Sequence, residues 1–128
     1  MEIVITLPLP HKDLSPNGRP HWRQKAKLTK EHVEDAFQVV TVAIADGSIP
    51  RDSIPWKKVE SREIYYWPTH RRRDVRNAEG SLKAYYDGFV RSGLLEDDDI
   101  EHLTHMPSMF QYDKDDPRVE IILTNTGN

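Results

Sequence analysis

Apolar and polar positions alternate along this chain with two different periods, and the switches between them outline six elements. Residues 2–7 (Glu2, Ile3, Val4, Ile5, Thr6, Leu7) are rich in β-branched side chains and are closed by Pro8 and Pro10, the signature of an opening strand. Residues 11–27 hold Pro16, Asn17, Gly18 and Pro20 among interleaved Lys and Arg with no apolar period, which predicts a loop. Thr29 is a suitable N-cap for a helix in which Val33, Phe37, Val40 and Ile44 follow the 3.6-residue period, and Gly47 and Pro50 end it. A second strand runs from about Val59 to Trp67, with Val59, Ile64, Tyr65 and Tyr66 as strand formers and Pro68 closing it. A second helix covers roughly residues 78–92, with Leu82, Tyr85 or Tyr86, and Phe89 toward the core. Gly93 stands where a left-handed C-cap residue belongs.

After that helix, residues 103–112 read as a weak strand interrupted by Pro107, and Arg118 to Thr124 as a strong one carrying Val119, Ile121, Ile122 and Leu123. Asp115, Asp116 and Pro117 between them give a hairpin signal, and the tail from Asn125 to Asn128 is expected to fray. The order βαβαββ predicts an α/β or α+β domain, a mixed sheet with two helices. At 128 residues the chain is expected to form a single domain spanning 1–128.

Composition narrows the class. Charged residues make up 30% and hydrophobic ones only 37%, polar for a chain this short, which points to some burial against a partner such as a second copy. The formal net charge of −3 argues against a non-specific polyanion binder, while a local basic stripe still sets the field that a phosphate meets. With no cysteine, a disulfide framework and a thiolate zinc site are both excluded. No apolar stretch reaches transmembrane length and Met1 leads directly into a strand pattern, so no membrane association and a cytoplasmic location are expected.

The candidate chemistry lies between Arg71 and Asp99. Arg71, Arg72, Arg73 and Arg76 surround Asp74, the following helix carries Lys83, and four consecutive acids run from Glu96 to Asp99. Acids at both ends of a segment, a lysine between them and a basic run at its entrance suit metal-assisted cleavage of a phosphate backbone. The arginines would hold the polyanion, the carboxylates Mg2+, and the lysine would face the developing negative charge. The competing reading is a solvated, salt-bridged helix flank and an acidic turn. A fifteen-residue helix separates its two ends by about 22 Å, so the acids meet only if the segments fold back or if two subunits combine. Asn17, Arg19, His21, Trp22, Arg23, Lys25 and Lys27 form a second basic stretch that could grip DNA arms, in which Trp22 is expected to be a packed anchor for the loop rather than a base-stacking wedge. His70, His102 and His105 show no helical metal-binding spacing.

The ordered set Arg72-Arg73-Asp74-Val75-Arg76-Asn77, Lys83, Asp87-Gly88, Gly93 and Asp97-Asp98 resembles the RusA family of Holliday junction resolvases. Leu7-Pro8-Leu9-Pro10, Ser15-Pro16-Asn17 and His21-Trp22 resemble the opening of its phage-type members, so the similarity spans most of the chain. The resemblance implies a RusA-like dimeric fold and a Mg2+-dependent crossover junction endodeoxyribonuclease, with Mn2+ as a substitute metal. Such an enzyme resolves four-way DNA junctions by paired symmetric nicks in recombination and repair. It also implies a homodimer, because two equivalent strands need two equivalent sites, and no small-molecule cofactor.

Carried onto this sequence, the family's catalytic set falls on Asp74, Asn77, Lys83 and Asp98. Asp74 and Asp98 would supply oxygen ligands to the metal, with Asp97 and Asp99 as further choices. Lys83 would neutralise charge on phosphorus, and Asn77 would cap the helix or position Asp74. Arg71, Arg72, Arg73, Arg76, Asn17, Lys25 and Lys27 would contact DNA. The family's second motif aspartate is replaced by Arg76. Either Glu79, three residues on, supplies the missing oxygen ligand, or the protein binds junctions with weakened or no cleavage. Two further readings are a generic Mg2+ nuclease of flaps or single strands and a scaffold whose Arg and Asp clusters pair across a dimer.

Overall fold

The computed structural model describes residues 1–127. The opening strand forms as expected, β1 (Glu2–Leu7), followed by a single 3-10 turn at Lys12–Leu14. Helix α1 (Trp22–Ala45) begins seven residues before Thr29, so Trp22 to Lys27 are helical and the loop is shorter than expected. These residues are good helix formers with His21 as N-cap, its Nδ1 accepting from the Arg23 N–H at 3.1 Å. They lack an apolar period because all of them, from Trp22 to Lys27, are solvent-exposed and project beyond the core. The buried stripe that does set the helix is Leu28, His32, Ala36, Val40 and Ile44, while Val33 and Phe37 are only half-buried.

Strand β2 (Val59–Trp67) matches the expected bounds. The expected second helix is two pieces, α2 (Val75–Gly80) and α3 (Lys83–Arg91). Two features break it. A β-carbon on Gly80 would stand 2.5 Å from Pro16 Cγ, so glycine is required where that loop crosses, and glycine weakens the helix. The Ser81 hydroxyl then donates back to the Ala78 carbonyl at 2.6 Å, closing the last turn of α2. Gly93 has φ +88, the left-handed stop that the sequence predicts for α3.

Pro107 divides the weak strand into β3 (Leu103–His105) and β4 (Met109–Tyr112), both parallel to β2 along one of its edges. Strand β5 (Arg118–Asn125) does not form a hairpin with β4. It inserts between β1 and β2, antiparallel to both, in a mixed five-stranded sheet. Burial decides this: Val119, Ile121 and Leu123 are all 0% exposed and need a central position, whereas β4 is an edge with its residues exposed or half-buried. The tail is tied down as far as it is described, since Asn125 N–H donates to Met1 O and Thr126 N–H to Lys58 O, both at 2.8 Å. Asn128 lies outside the described residues.

The helices cover one face of the sheet in an α+β arrangement. Ile5, Leu7, Tyr65, Val119, Ile121 and Leu123 meet Ala36, Val40, Tyr85, Tyr86 and Phe89 in one core. Helix α3 approaches α1 so closely that a β-carbon on Gly88 would stand 2.6 Å from the Val33 carbonyl oxygen. No helix among the described residues is long and apolar enough to cross a membrane.

Candidate functional site

Strand β2 carries an acid into the core. Its odd-numbered residues face the helices, so Val59, Ser61, Glu63 and Tyr65 are all buried, and Glu63 is only 3% exposed. Glu63 lines a cavity of about 440 Å³ together with Glu79, Gly80, Lys83, Tyr86, Asp98, Leu103 and His105. The Ser108 hydroxyl lies between the two glutamates, 2.5 Å from Glu79 Oε2 and 3.4 Å from Glu63 Oε1. Tyr86, itself hydrogen-bonded to Ser61, reaches Glu63 Oε2 at 3.3 Å.

Among the described residues no lysine, arginine or histidine forms an ion pair with Glu63 or Glu79. Burial first, and the Glu79 carboxylate second, push the Glu63 carboxyl up to about 7. The hydroxyls of Tyr86 and Ser108 pull it partly back. Burial and the same two glutamates raise the Tyr65 hydroxyl, and Ser108 pulls it partly back.

Lys83 stands at the mouth of this cavity. Its ammonium bonds Asp87 Oδ1 at 2.8 Å, one helical turn on, and Asp98 Oδ2 at 2.6 Å, across from the loop after α3. Its pKa is raised by Asp87 first and by Asp98 next. Glu79, Lys83 and Asp98, picked out in the sequence, therefore share one cavity. Glu63 was not among them, although the period-2 phase of Val59–Trp67 puts it on the same face as Val59 and Tyr65. With one lysine against three acids the cavity favours a cation, and a phosphate would approach only with that charge offset.

Asp74 is placed elsewhere. It is the N-cap of α2, with Oδ1 accepting from the N–H groups of Arg76 (2.8 Å) and Asn77 (3.3 Å). It lines a neighbouring cavity of about 240 Å³ with Lys12, Trp67, Arg73 and Asn77, so α2 walls both cavities and the two aspartates Asp74 and Asp98 do not share one. Arg73 folds back onto the Thr69 carbonyl at 2.8 Å and lies over the Trp67 ring at 4.3 Å. Arg71, Arg72 and Arg76 are exposed, and Arg76 lines neither cavity.

A tighter group of oxygen and nitrogen donors lies on the surface after α3. Ligand atoms of Asp97, Asp99 and His102 are within 4.8 Å of one another, a set with the donor types for a metal ion. These groups also satisfy one another: His102 bonds Asp99 at 2.5 Å and Glu96 at 2.9 Å, which raises its pKa, Asp99 being the larger cause. His70 and His105 are apart from it, His70 stacked on Tyr112 and His105 edge-on to Tyr86. Asn17 is exposed in the turn before α1, and Lys25 and Lys27 are exposed on α1. Trp22 is not a packed anchor, being 68% exposed in the first turn of α1.

No family model matches the chain. An uncharacterized protein of Xylella fastidiosa (strain Temecula1 / ATCC 700964) is 32% identical to it over 106 residues, which are 73% of this chain and 67% of that protein. The chain belongs to the same family as this Xylella fastidiosa protein.

Proposed function

We propose that this protein is a divalent-cation-dependent endonuclease of branched DNA in which Glu63, Glu79 and Asp98 hold the cation. One observation carries the reading: a glutamate 3% exposed faces a second glutamate across a single serine hydroxyl, with no cationic side chain among the described residues paired to either. A buried carboxylate facing a half-buried one is an unfavourable arrangement unless a proton or a metal cation joins them. The donors are hard oxygens, the chemistry that Mg2+ and Mn2+ take. When bound, such a cation activates water and stabilises the leaving oxygen of a phosphodiester.

The chain's own residues supply the rest. Lys83 presents an ammonium at the cavity mouth, where charge on phosphorus develops. Asp74 positions α2, and with it Glu79, through its cap. Arg71, Arg72 and Arg76 offer phosphate contacts beside it. Resemblance to the RusA resolvases assigns four-way junctions as substrate and a homodimer as the active unit. In this account Glu79 takes over from the family carboxylate that Arg76 replaces. A second reading is favoured by the Lys83 ammonium 2.6 Å from Asp98. A carboxylate already satisfied in this way suits a junction-binding protein with weak or no cleavage.

A gel assay on a synthetic four-way junction with Mg2+ or Mn2+ separates these. Paired symmetric nicks by the wild type, lost in Glu79→Gln and kept in Asp74→Asn, are the expected result, because asparagine also caps a helix. Loss in Asp74→Asn alone would move the metal to the Asp74 and Asp98 pair that the resemblance implies. Tight junction binding without nicks would establish the second reading, and equal cutting of linear and four-way DNA a generic nuclease.

A further inference from the structure

Between Leu14 and Lys30 the chain carries five cations, Arg19, Arg23, Lys25, Lys27 and Lys30, and no acid, within a molecule of net charge −3. None of the five forms an ion pair among the described residues. In their midst Trp22 is 68% exposed, whereas Trp56 is 0% exposed. The indole is nevertheless held in place. His21 is fixed by its cap bond to the Arg23 N–H, its ring stacks on Trp22 with centroids 5.6 Å apart and planes 30° apart, and the Arg23 guanidinium lies 5.1 Å from the indole centroid. Lys25 follows one helical turn on, its Cβ about 5–6 Å from that of Trp22 on the same face.

We infer that Trp22 is a stacking platform for one unpaired nucleobase, with Arg23, Lys25 and Lys27 holding the phosphates of the same strand. A pre-oriented aromatic among unpaired cations is the arrangement by which single-stranded nucleic acid is bound without sequence readout. A membrane surface needs an apolar face, and here it is missing: the neighbours Gln24, Lys25, Ala26 and Lys27 are exposed and Leu28 is buried. The choice of DNA as the strand rests on the proposed endonuclease reading, in which an unpaired base is what a branch point offers.

The test is anisotropy of a fluorescein-labelled oligothymidylate titrated with the full chain, beside a matched strand carrying abasic sites. Trp22→Ala is expected to weaken binding by roughly 5- to 100-fold, Trp22→Phe to restore most of it, and the wild type to lose a similar factor on the abasic strand. Lys25→Gln with Lys27→Gln is expected to lower the slope of log affinity against log salt by about 1–2. Because Trp22 lies outside the core, its variants keep the fold, which circular dichroism verifies. Equal affinity of Trp22→Ala and wild type, or equal binding of abasic and intact strands, would overturn the inference. So would tighter binding to anionic phospholipid vesicles than to the oligonucleotide. Junction nicking is read separately: Trp22-dependent binding with no nicking sustains this inference and removes the endonuclease reading, and nicking without Trp22-dependent binding does the reverse.

Discussion

Replacing Glu63 by glutamine removes a charge and little else, so it isolates what the buried carboxylate does to the fold. With divalent cations chelated, the Glu63 carboxyl titrates near 4.5 in the unfolded chain and near 7 in the folded one. Below the lower value both states are protonated and the group contributes nothing. As pH rises through 4.5 the unfolded chain releases its proton while the folded protein keeps it, and stability falls until the pH has passed about 7. Integrated over that window, the loss is on the order of 3 kcal/mol. Glutamine does not titrate, so Glu63→Gln should match the wild type near pH 4 and exceed it by about 3 kcal/mol near pH 8.5.

For a chain of this length that difference is roughly 10 °C in Tm. Urea unfolding at a series of pH values in EDTA measures it. Wild-type and Glu63→Gln curves that stay parallel across the window, or a variant less stable at high pH, would mean that Glu63 is charge-compensated in the folded state. The reasoning that makes the cavity a cation site would then fail.

Two more changes probe neighbouring parts of the structure. Ser108→Ala removes a hydroxyl whose hydrogen bond lowers the Glu63 pKa, so the upper edge of the same pH window should move above 7, as the pH series would show. Gly88→Ala should destabilise the protein by about 1–3 kcal/mol in urea unfolding, because the new methyl meets the Val33 carbonyl oxygen and outweighs the gain in helix propensity.

Strand phase and helix phase were unequally legible. β1, β2 and β5 were readable because β-branched runs bounded by proline leave few alternatives, and Gly93 announced the end of α3 by the left-handed conformation that glycine adopts without the strain other residues meet there. The first turns of α1 were not readable from periodicity, since a helix that projects into solvent has no buried stripe to reveal it. The hairpin expected after β4 failed because a turn signal is local, whereas the place of β5 was decided by the burial of Val119, Ile121 and Leu123 between two other strands.

The site shows the same division. Charge clustering drew attention to Lys83, Asp98 and Glu79, which do meet in one cavity, and equally to Asp74, whose carboxylate caps α2. Spacing along the chain does not separate an aspartate whose carboxylate caps a helix from one that meets Lys83 in the cavity. Glu63 carried a signal in its strand phase, an acid on the same face as Val59, Ser61 and Tyr65, and it is sequence distance from the charged block that hid it.

Calorimetric titration of Mn2+ into the full chain near pH 7, in buffers of different ionisation enthalpy, tests most directly that this cavity takes a divalent cation. With the Glu63 carboxyl half-protonated at that pH, binding should release about half a proton per ion. Both the binding and the release should disappear in Glu63→Gln and in Glu79→Gln while surviving in Asp97→Asn. Binding that is lost only in Asp97→Asn, or that proceeds unchanged and without proton release in the Glu63 and Glu79 variants, would contradict the account.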